Sequence, residues 1–359
     1  MSYRPLISVC MPVYNTERYL SEAIQGVLSQ TYDNFELVIC DNCSTDSSPA
    51  IARGFSSDPR VRFIPNQWNI GFAGNLQKVT SLARGELVIV HCSDDTMLPE
   101  ALTTYVQTIE RSGLDPQNMV VMGDTYMMDG NGNRFAILGK GTNDFDYARR
   151  QLGKEPLEEK VLPYTGHEIL KAHLHDLQLF GWLGSILFSR SFLERTEGYQ
   201  GGKWISPDKE FMYKVFALNP PVLYVQQPLF QFRLHEANQL GTERRQAIIK
   251  HSLDQYEYTF QYTDSFLAQF GVSRLELQKL FIDRDCLRKA LHELAVGSWT
   301  LALRYVAFAL ATYPGLAWRN PRFYLSMLGL LTGPVGRLGA RAGLGLWRLV
   351  QQPEPERGR

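Results

Sequence analysis

The chain has 359 residues, 44% hydrophobic and 21% charged, and its 37 basic and 37 acidic side chains cancel to a formal charge of zero. That length holds one large or two medium domains of ordinary globular composition, and the charge balance excludes wholesale electrostatic binding of nucleic acid. No apolar stretch reaches the roughly 18 residues a membrane span needs, and Met1–Pro5 leads straight into a strand pattern without the form of a signal peptide.

Ile7–Val13 is rich in apolar residues and reads as a first strand, followed by the loop Tyr14-Asn15-Thr16-Glu17. From Tyr19 to Gln30 the apolar positions Leu20, Ala23, Ile24, Val27 and Leu28 recur at helical spacing. Phe35–Cys40 is a second strand, ending in the polar, cap-rich loop Asp41 to Asp46, and a helix follows to about Phe55. Val61–Ile64 is a short third strand; Asn69 to Asn75 leads into a helix that ends near Arg84-Gly85. Leu87–Val90 is a fourth, buried strand, and Pro99 opens a helix over Glu100–Arg111. This alternation predicts an α/β fold with a mostly parallel sheet. The loops after the first, second and fourth strands then gather at one sheet edge, where open α/β sheets place ligands.

Beyond Met119 the pattern changes. Met119–Met128 reads as a strand closed by the hairpin turn Asp129 to Asn133, which lacks the spacing of a calcium loop. Residues 140–163 are polar and aperiodic, read as a mobile loop, and Thr165–Leu177 reads as a helix. A helix over Pro207–Leu218 and strands at Val222–Val225 and Leu229–Leu234 follow. From about Thr242 the chain turns helical, with one amphipathic pattern over 244–270 and more over 275–312. Between about Leu301 and Val350 apolar runs alternate with single arginines and no acid occurs until Glu354. Such faces suit helices lying in a membrane interface, or equally a bundle packed on the core or a second subunit. The domain expectation is therefore an α/β domain over 1–240, a helical region over 241–352 and a disordered tail over 353–359.

The chemistry-bearing residues sit mostly in the strand-end loops. Asp94 and Asp95 follow the fourth strand. Hard divalent cations take oxygen ligands and share them with substrate phosphates, although the same pair can simply form a turn and cap a helix. Asp41 can accept a hydrogen bond from a base or ribose, or cap the next helix. No GxGxxG fingerprint and no GxxxxGK[ST] loop occurs, so dinucleotide or P-loop binding is not expected. The five cysteines supply no paired CxxC set, and Cys10, Cys40 and Cys92 fall in or beside strands, as buried reduced thiols do.

The ordered set Ser8 to Glu17, Ser29-Gln30-Thr31-Tyr32, Phe35 to Asp46, Asn69-Ile70-Gly71 and Ser93-Asp94-Asp95…Pro99 resembles the opening of family 2 glycosyltransferases. The resemblance implies a GT-A fold: a nucleotide-sugar-binding half over about 1–115 and an acceptor half over 116–240. It implies a nucleotide-diphosphate-sugar donor, often UDP-linked, an Mg2+ or Mn2+ ion, and a glycan or lipid-linked acceptor. By motif position, Pro12, Tyr14, Asn15 and Glu17 would line the nucleoside pocket. Asp41 would contact the base, Asn69 and Asn75 would border the nucleotide, and Ser93 and Asp94 would lie at the diphosphate with Asp94 on the metal. Cys92 stands where the family usually has the first aspartate of its DxD motif.

Ser206-Pro207-Asp208-Lys209-Glu210-Phe211 resembles the region of the family's catalytic base. An inverting transfer needs a carboxylate to deprotonate the acceptor hydroxyl. Asp208, in the first turn of a helix whose dipole favours its ionised form, is the expected base, with Glu210 the competitor. Arg233-Leu234-His235 resembles the later Arg-x-His segment, placing Arg233 and His235 near the diphosphate, and Trp182 is either an acceptor-stacking or a core aromatic. The location implied is cytoplasmic, peripheral at the inner face of the cell membrane. The alternative is a non-catalytic nucleotide-sugar-binding scaffold on the same fold.

Overall fold

Strand β1 (Ile7–Val13) is buried along its whole length, and so is β2 (Phe35–Asp41). Burial on both faces requires cover on both faces, the condition under which parallel strands persist. In the computed structural model, which describes residues 3–138, 157–158, 160–174, 183–200, 206–235 and 247–332, β3 (Val61–Pro65) and β4 (Leu87–Val90) join them in the parallel order β3-β2-β1-β4. The crossovers are α1 (Leu20–Leu28), α2 (Ser48–Gly54) and α3 (Gly71–Ser81). Helix α1 buries Leu20, Ala23, Ile24 and Val27, the stripe that its sequence spacing predicts.

The second half of the sheet is mixed. After β5 (Thr96–Met97) and α4 (Ala101–Ser112) come β6 (Val120–Asp129), β7 (Arg134–Ile137), β8 (Val161–Thr165), α5 (Gly166–Leu174), β9 (Ile186–Ser189), α6 (Ser191–Arg195), α7 (Pro207–Ala217) and β10 (Pro221–Leu234). The sheet reads β3-β2-β1-β4-β9-β6-β10-β5, with β7 on β6 and β8 on β10. β9 runs antiparallel to both β4 and β6, while β6 and β10 are parallel. The hairpin at Asp129 is present: Asp129 Oδ1 accepts from Asn131 N at 2.8 Å and Asn133 N at 2.9 Å.

Two expectations are corrected here. Val161–Thr165, read as the end of a polar loop, is an edge strand whose Val161, Leu162 and Tyr164 are buried against β10. Pro163 interrupts the alternation that would have announced it, and edge strands are where proline is tolerated. Residues 221–234 are one strand rather than two. A register shift between Val225 and Phe230 absorbs Gln226-Gln227-Pro228 as an irregularity.

The chain divides into two units, one of Met1–His173 with Leu177–Glu236 and one of Leu174–Asp176 with Ala237–Arg359. The second unit holds α8 (Ala247–Gln261), α9 (Asp264–Ala268), α10 (Arg274–Leu280), a π-helical turn (Phe281–Arg288), α11 (Lys289–Val296), α12 (Trp299–Thr312), α13 (Pro314–Ala317) and α14 (Pro321–Thr332). Thr263 and Ser273 cap α9 and α10, the latter in a capping box with Glu276, so the pattern read as one helix over 244–270 is broken at Thr263. Gly297, at φ +90°, ends α11 in the left-handed conformation that glycine adopts without steric cost. Its core gathers Phe281, Ile282, Leu287, Tyr305, Val306 and Phe323. No helix among the described residues is long and apolar enough to cross a membrane. The disordered-tail reading of 353–359 and the Trp182 reading lie outside the described residues, as does most of the loop at 140–163.

Candidate functional site

The loops after β1, β2 and β4 meet at the carboxyl edge of the sheet. Asn15 adopts φ +51°, a left-handed conformation that asparagine tolerates. Its side-chain oxygen accepts from Thr45 N at 2.8 Å, and its own N–H donates to Ser44 Oγ at 2.9 Å. Glu17 continues the seam, accepting from Ser47 N at 2.9 Å. These two predicted pocket residues thus lock the first two loops together, while Tyr14 stays about half exposed at 47%. Pro12 is buried within β1, level with Cys40 of β2.

Asp41 is buried at the end of β2. One carboxylate oxygen accepts from Ser44 N at 3.1 Å; the other is buried with no hydrogen-bond partner. A buried acceptor left unpaired costs about 1–3 kcal/mol, so this oxygen is a ready acceptor for a ligand N–H. Beside it four amides interlock. Asn66 donates to Asn42 and to Asn75, each at 3.0 Å, Asn42 donates to Asn69 at 2.9 Å, and Asn75 donates to the Cys40 carbonyl at 3.0 Å. Asn69 therefore holds Asn42 directly and Asn75 holds it through Asn66, and neither Asn42 nor Asn66 stands out in the sequence alone.

The segment from His91 to Pro99 leaves β4 and is caught by β10 on the far side of the sheet. β5 pairs with Phe230 and Gln231, and Leu98 N donates to Leu229 O at 2.8 Å. Within it the two aspartates differ. Asp95 is buried, and its Oδ1 accepts from Arg233 N at 2.9 Å. The Asp94 side chain is 19% exposed, and its Oδ2 lies 3.1 Å from His235 Nε2. Ser93 Oγ accepts from Thr16 Oγ at 3.1 Å, tying this loop to the first.

Arg233 is 2% exposed. Its Nε donates to the Asp94 carbonyl at 2.9 Å, its terminal nitrogen pairs with Glu22 at 2.7 Å, and its guanidinium lies 4.8 Å above the Tyr19 ring. Tyr19 also packs on His235, with ring centroids 4.5 Å apart. Tyr19 and Glu22 sit one helical turn apart at the start of α1. That i, i+3 spacing puts them on one face, a sequence signal for their partnership that the motif reading passed over.

The donor set fits a divalent cation. Ligand atoms of Cys92, Asp94 and Asp95 lie within 4.8 Å of one another. Asp94 Oδ2 also lies at hydrogen-bond distance, 3.1 Å, from His235 Nε2. One Asp95 oxygen is taken by the Arg233 backbone, and Asp94, the more exposed of the two carboxylates, is the one beside His235.

Cys92 is partly exposed, and burial first, then Asp95, Asp94 and Asp208, push its thiol well above the ordinary value. The same Asp208 acts on Tyr199, whose hydroxyl is raised chiefly by burial. Asp208 is thus electrostatically close to the Cys92 end of the carboxylate loop. It lies in the first turn of α7, behind Pro207, and is partly exposed. Glu210, its competitor, is buried and paired with Lys214 at 2.9 Å. Tyr199, fully buried and stacked on Phe211 at 4.4 Å, anchors this helix. His91 is buried, and burial pushes its pKa down to about 4 against the upward pull of Asp94 and the Asp95 backbone.

Residues 8–165 match the family profile described as glycosyl transferase family 2, the family the ordered motifs resemble. Among curated proteins, the chain is 25% identical over 282 residues to glycosyltransferase GlyG of Streptococcus pneumoniae, covering 78% of this chain and 87% of that one. It is 32% identical over 109 residues to the Escherichia coli protein named UDP-Glc:alpha-D-GlcNAc-diphosphoundecaprenol beta-1,3-glucosyltransferase WfgD, 30% of this chain and 43% of that one. Among solved structures, Staphylococcus aureus TarS 1–349 in complex with UDP-GlcNAc is similar with a TM-score of 0.60 at 14% identity, covering 94% and 92% of the two chains. The mannosyltransferase PcManGT of Pyrobaculum calidifontis, in complex with GDP-Man and Mn2+, is similar with a TM-score of 0.55 at 16% identity, covering 94% and 88%. The fold is GT-A, as expected from the sequence.

Proposed function

From its membership of glycosyl transferase family 2, we propose that this chain is an inverting, metal-dependent enzyme. It moves a sugar from a UDP-linked donor to a hydroxyl of a glycan or lipid-linked saccharide in cell-surface polysaccharide synthesis. The carrying observation is the gathering of Cys92, Asp94 and Asp95 after β4, with Asp94 against His235 at the end of β10. The names of WfgD, which specifies a diphosphoundecaprenol-linked acceptor, and of TarS, solved with UDP-GlcNAc, support this class of donor and acceptor. A lipid-linked acceptor places the enzyme at the inner face of the cell membrane, held there through its C-terminal helices.

In this reading the base lies against the Tyr14 to Glu17 loop, and the free oxygen of Asp41 accepts its imide N–H. Asn42, braced by Asn66, Asn69 and Asn75, keeps that wall in place. Asp94, with Cys92 and Asp95 beside it, would hold Mg2+ or Mn2+ near the donor diphosphate, with His235 against Asp94 and Ser93 next to it in the loop. The ion, when bound, offsets the negative charge that grows on the leaving diphosphate. Asp95 and Arg233 keep the Asp94 loop in register. Asp208 accepts the proton of the acceptor hydroxyl as that oxygen bonds to the anomeric carbon and the carbon–phosphate-oxygen bond breaks on the opposite face. Attack opposite the leaving group inverts the configuration.

The test is Asp208→Asn. Turnover is expected to fall by about 10²–10⁴-fold, while the stabilisation of the protein by UDP with Mn2+ persists, because ligand binding to the native state is left intact. Full turnover in the variant removes Asp208 as the base. A wild type that is stabilised by UDP yet transfers no sugar from any donor favours the scaffold reading, to which the Cys92 substitution in the DxD position lends its one observation.

A further inference from the structure

The last described helix of the second unit is apolar on both sides. α14 buries Phe323, Ser326 and Gly329, and a Cβ at Gly329 would come within 2.8 Å of Leu294, so the helix packs closely on α11 along that side. Yet Tyr324 at 57%, Leu325 at 53%, Leu328 at 58% and Leu331 at 79% are exposed. At 100° per residue these four fall within one arc of about 120°, opposite the buried face. Its one charged residue, Arg322, is drawn to Asp283 and is not on that arc. Helices apolar all round are normally enclosed by protein or lipid. Exposed Trp318, at 53%, packs its ring on Phe323 at 4.7 Å beside the same helix, and Leu303 on α12 is exposed at 56%.

Charge identifies the occupant. Between Glu293 and Glu354 the sequence contains no acidic residue and six arginines: Arg304, Arg319, Arg322, Arg337, Arg341 and Arg348. Of the described ones, Arg304 and Arg319 are exposed. An apolar helix face flanked by tryptophan, tyrosine and unopposed arginines matches an anionic lipid surface: leucines enter the acyl boundary, aromatic rings sit at headgroup depth, and guanidinium groups meet phosphates. A second copy of the same surface would bring arginine against arginine.

We propose that the Tyr324–Leu325–Leu328–Leu331 face of α14 is a membrane-docking surface that inserts into an anionic bilayer leaflet, with Trp318, Arg304 and Arg319 at its rim. This deepens the membrane-face reading above and rests on it, and it is tested without donor or acceptor. The full chain is floated with phosphatidylcholine vesicles that contain or lack phosphatidylglycerol. The wild type is expected to float with the anionic vesicles and to be released by salt. Leu325→Glu/Leu328→Glu should raise the lipid concentration for half-binding by about tenfold or more, with its thermal midpoint unchanged because both side chains are already exposed. Arg304→Gln/Arg319→Gln should bind anionic and neutral vesicles more nearly alike. Equal flotation of the double-leucine variant and the wild type overturns α14 as the docking face while leaving membrane association standing. A wild type that fails to float, or that is a dimer split by the leucine substitutions, overturns the membrane surface altogether. Neither result touches the transferase reading, which Asp208→Asn tests separately.

Discussion

Arg233→Met separates two roles for a residue that sequence alone places at the diphosphate. The methionine keeps much of the apolar stem and removes the guanidinium, leaving the Arg233 N–H to Asp95 in place. Lost are a charged hydrogen bond to the Asp94 carbonyl, worth about 1.5–3 kcal/mol, and the stacking on Tyr19, about 0.5–2 kcal/mol. The ion pair with Glu22 adds under about 1 kcal/mol, since Glu22 is 56% exposed and water takes over its carboxylate. The total is roughly 3 kcal/mol, or a fall of about 6–12 °C in thermal midpoint for a domain of this size. The Asp94 loop should loosen with it, so more Mn2+ is needed for half-maximal stabilisation by UDP. The measurement is thermal unfolding of the ligand-free variant, followed by a Mn2+ titration with UDP present. A ligand-free midpoint within about 1–2 °C of wild type, together with a collapse of turnover, would refute the clamp and return the guanidinium to the diphosphate.

His91 makes stability fall with acid. Its folded pKa, about 4, lies below the unfolded 6.5, so the unfolded chain takes up the proton first and the folded state loses up to ~3 kcal/mol as pH falls from 6.5 toward 4. Denaturant titrations should show the stability of wild type relative to His91→Leu falling by up to that amount across the window; a constant gap would sink the assignment. At the opposite edge of the sheet, a Cβ at Gly85 would stand 2.6 Å from the Leu6 carbonyl oxygen and the Ser8 nitrogen, both backbone atoms that cannot turn aside. Gly85→Ala is therefore expected to cost about 1–3 kcal/mol in denaturant unfolding, and a neutral result would mean that the β1 and β4 edge moves more freely than its hydrogen bonds suggest.

Apart from the two-residue β5, which exists only by pairing with β10, the ordering of strands and helices up to α4 was legible from local pattern, because each signal lies within a few residues of the element it specifies. Leu20, Ala23, Ile24 and Val27 announce a buried helix face wherever the helix packs, and Asp41 closes an apolar strand run against a polar loop. β8 was missed because its partner is β10, some sixty residues away, and Pro163 hides its alternation.

The site shows the same divide. The sequence determined that two carboxylates follow β4 and that an arginine and a histidine close β10. Only the tertiary structure decided that Asp95 is held by the Arg233 backbone while Asp94 faces His235, partners 138 and 141 residues apart. It also turned Arg233 inward onto Tyr19 and Glu22. The physical reason is reach: propensity and periodicity act over one or two turns, whereas the carboxylates' environments are set by which distant strand the sheet brings alongside.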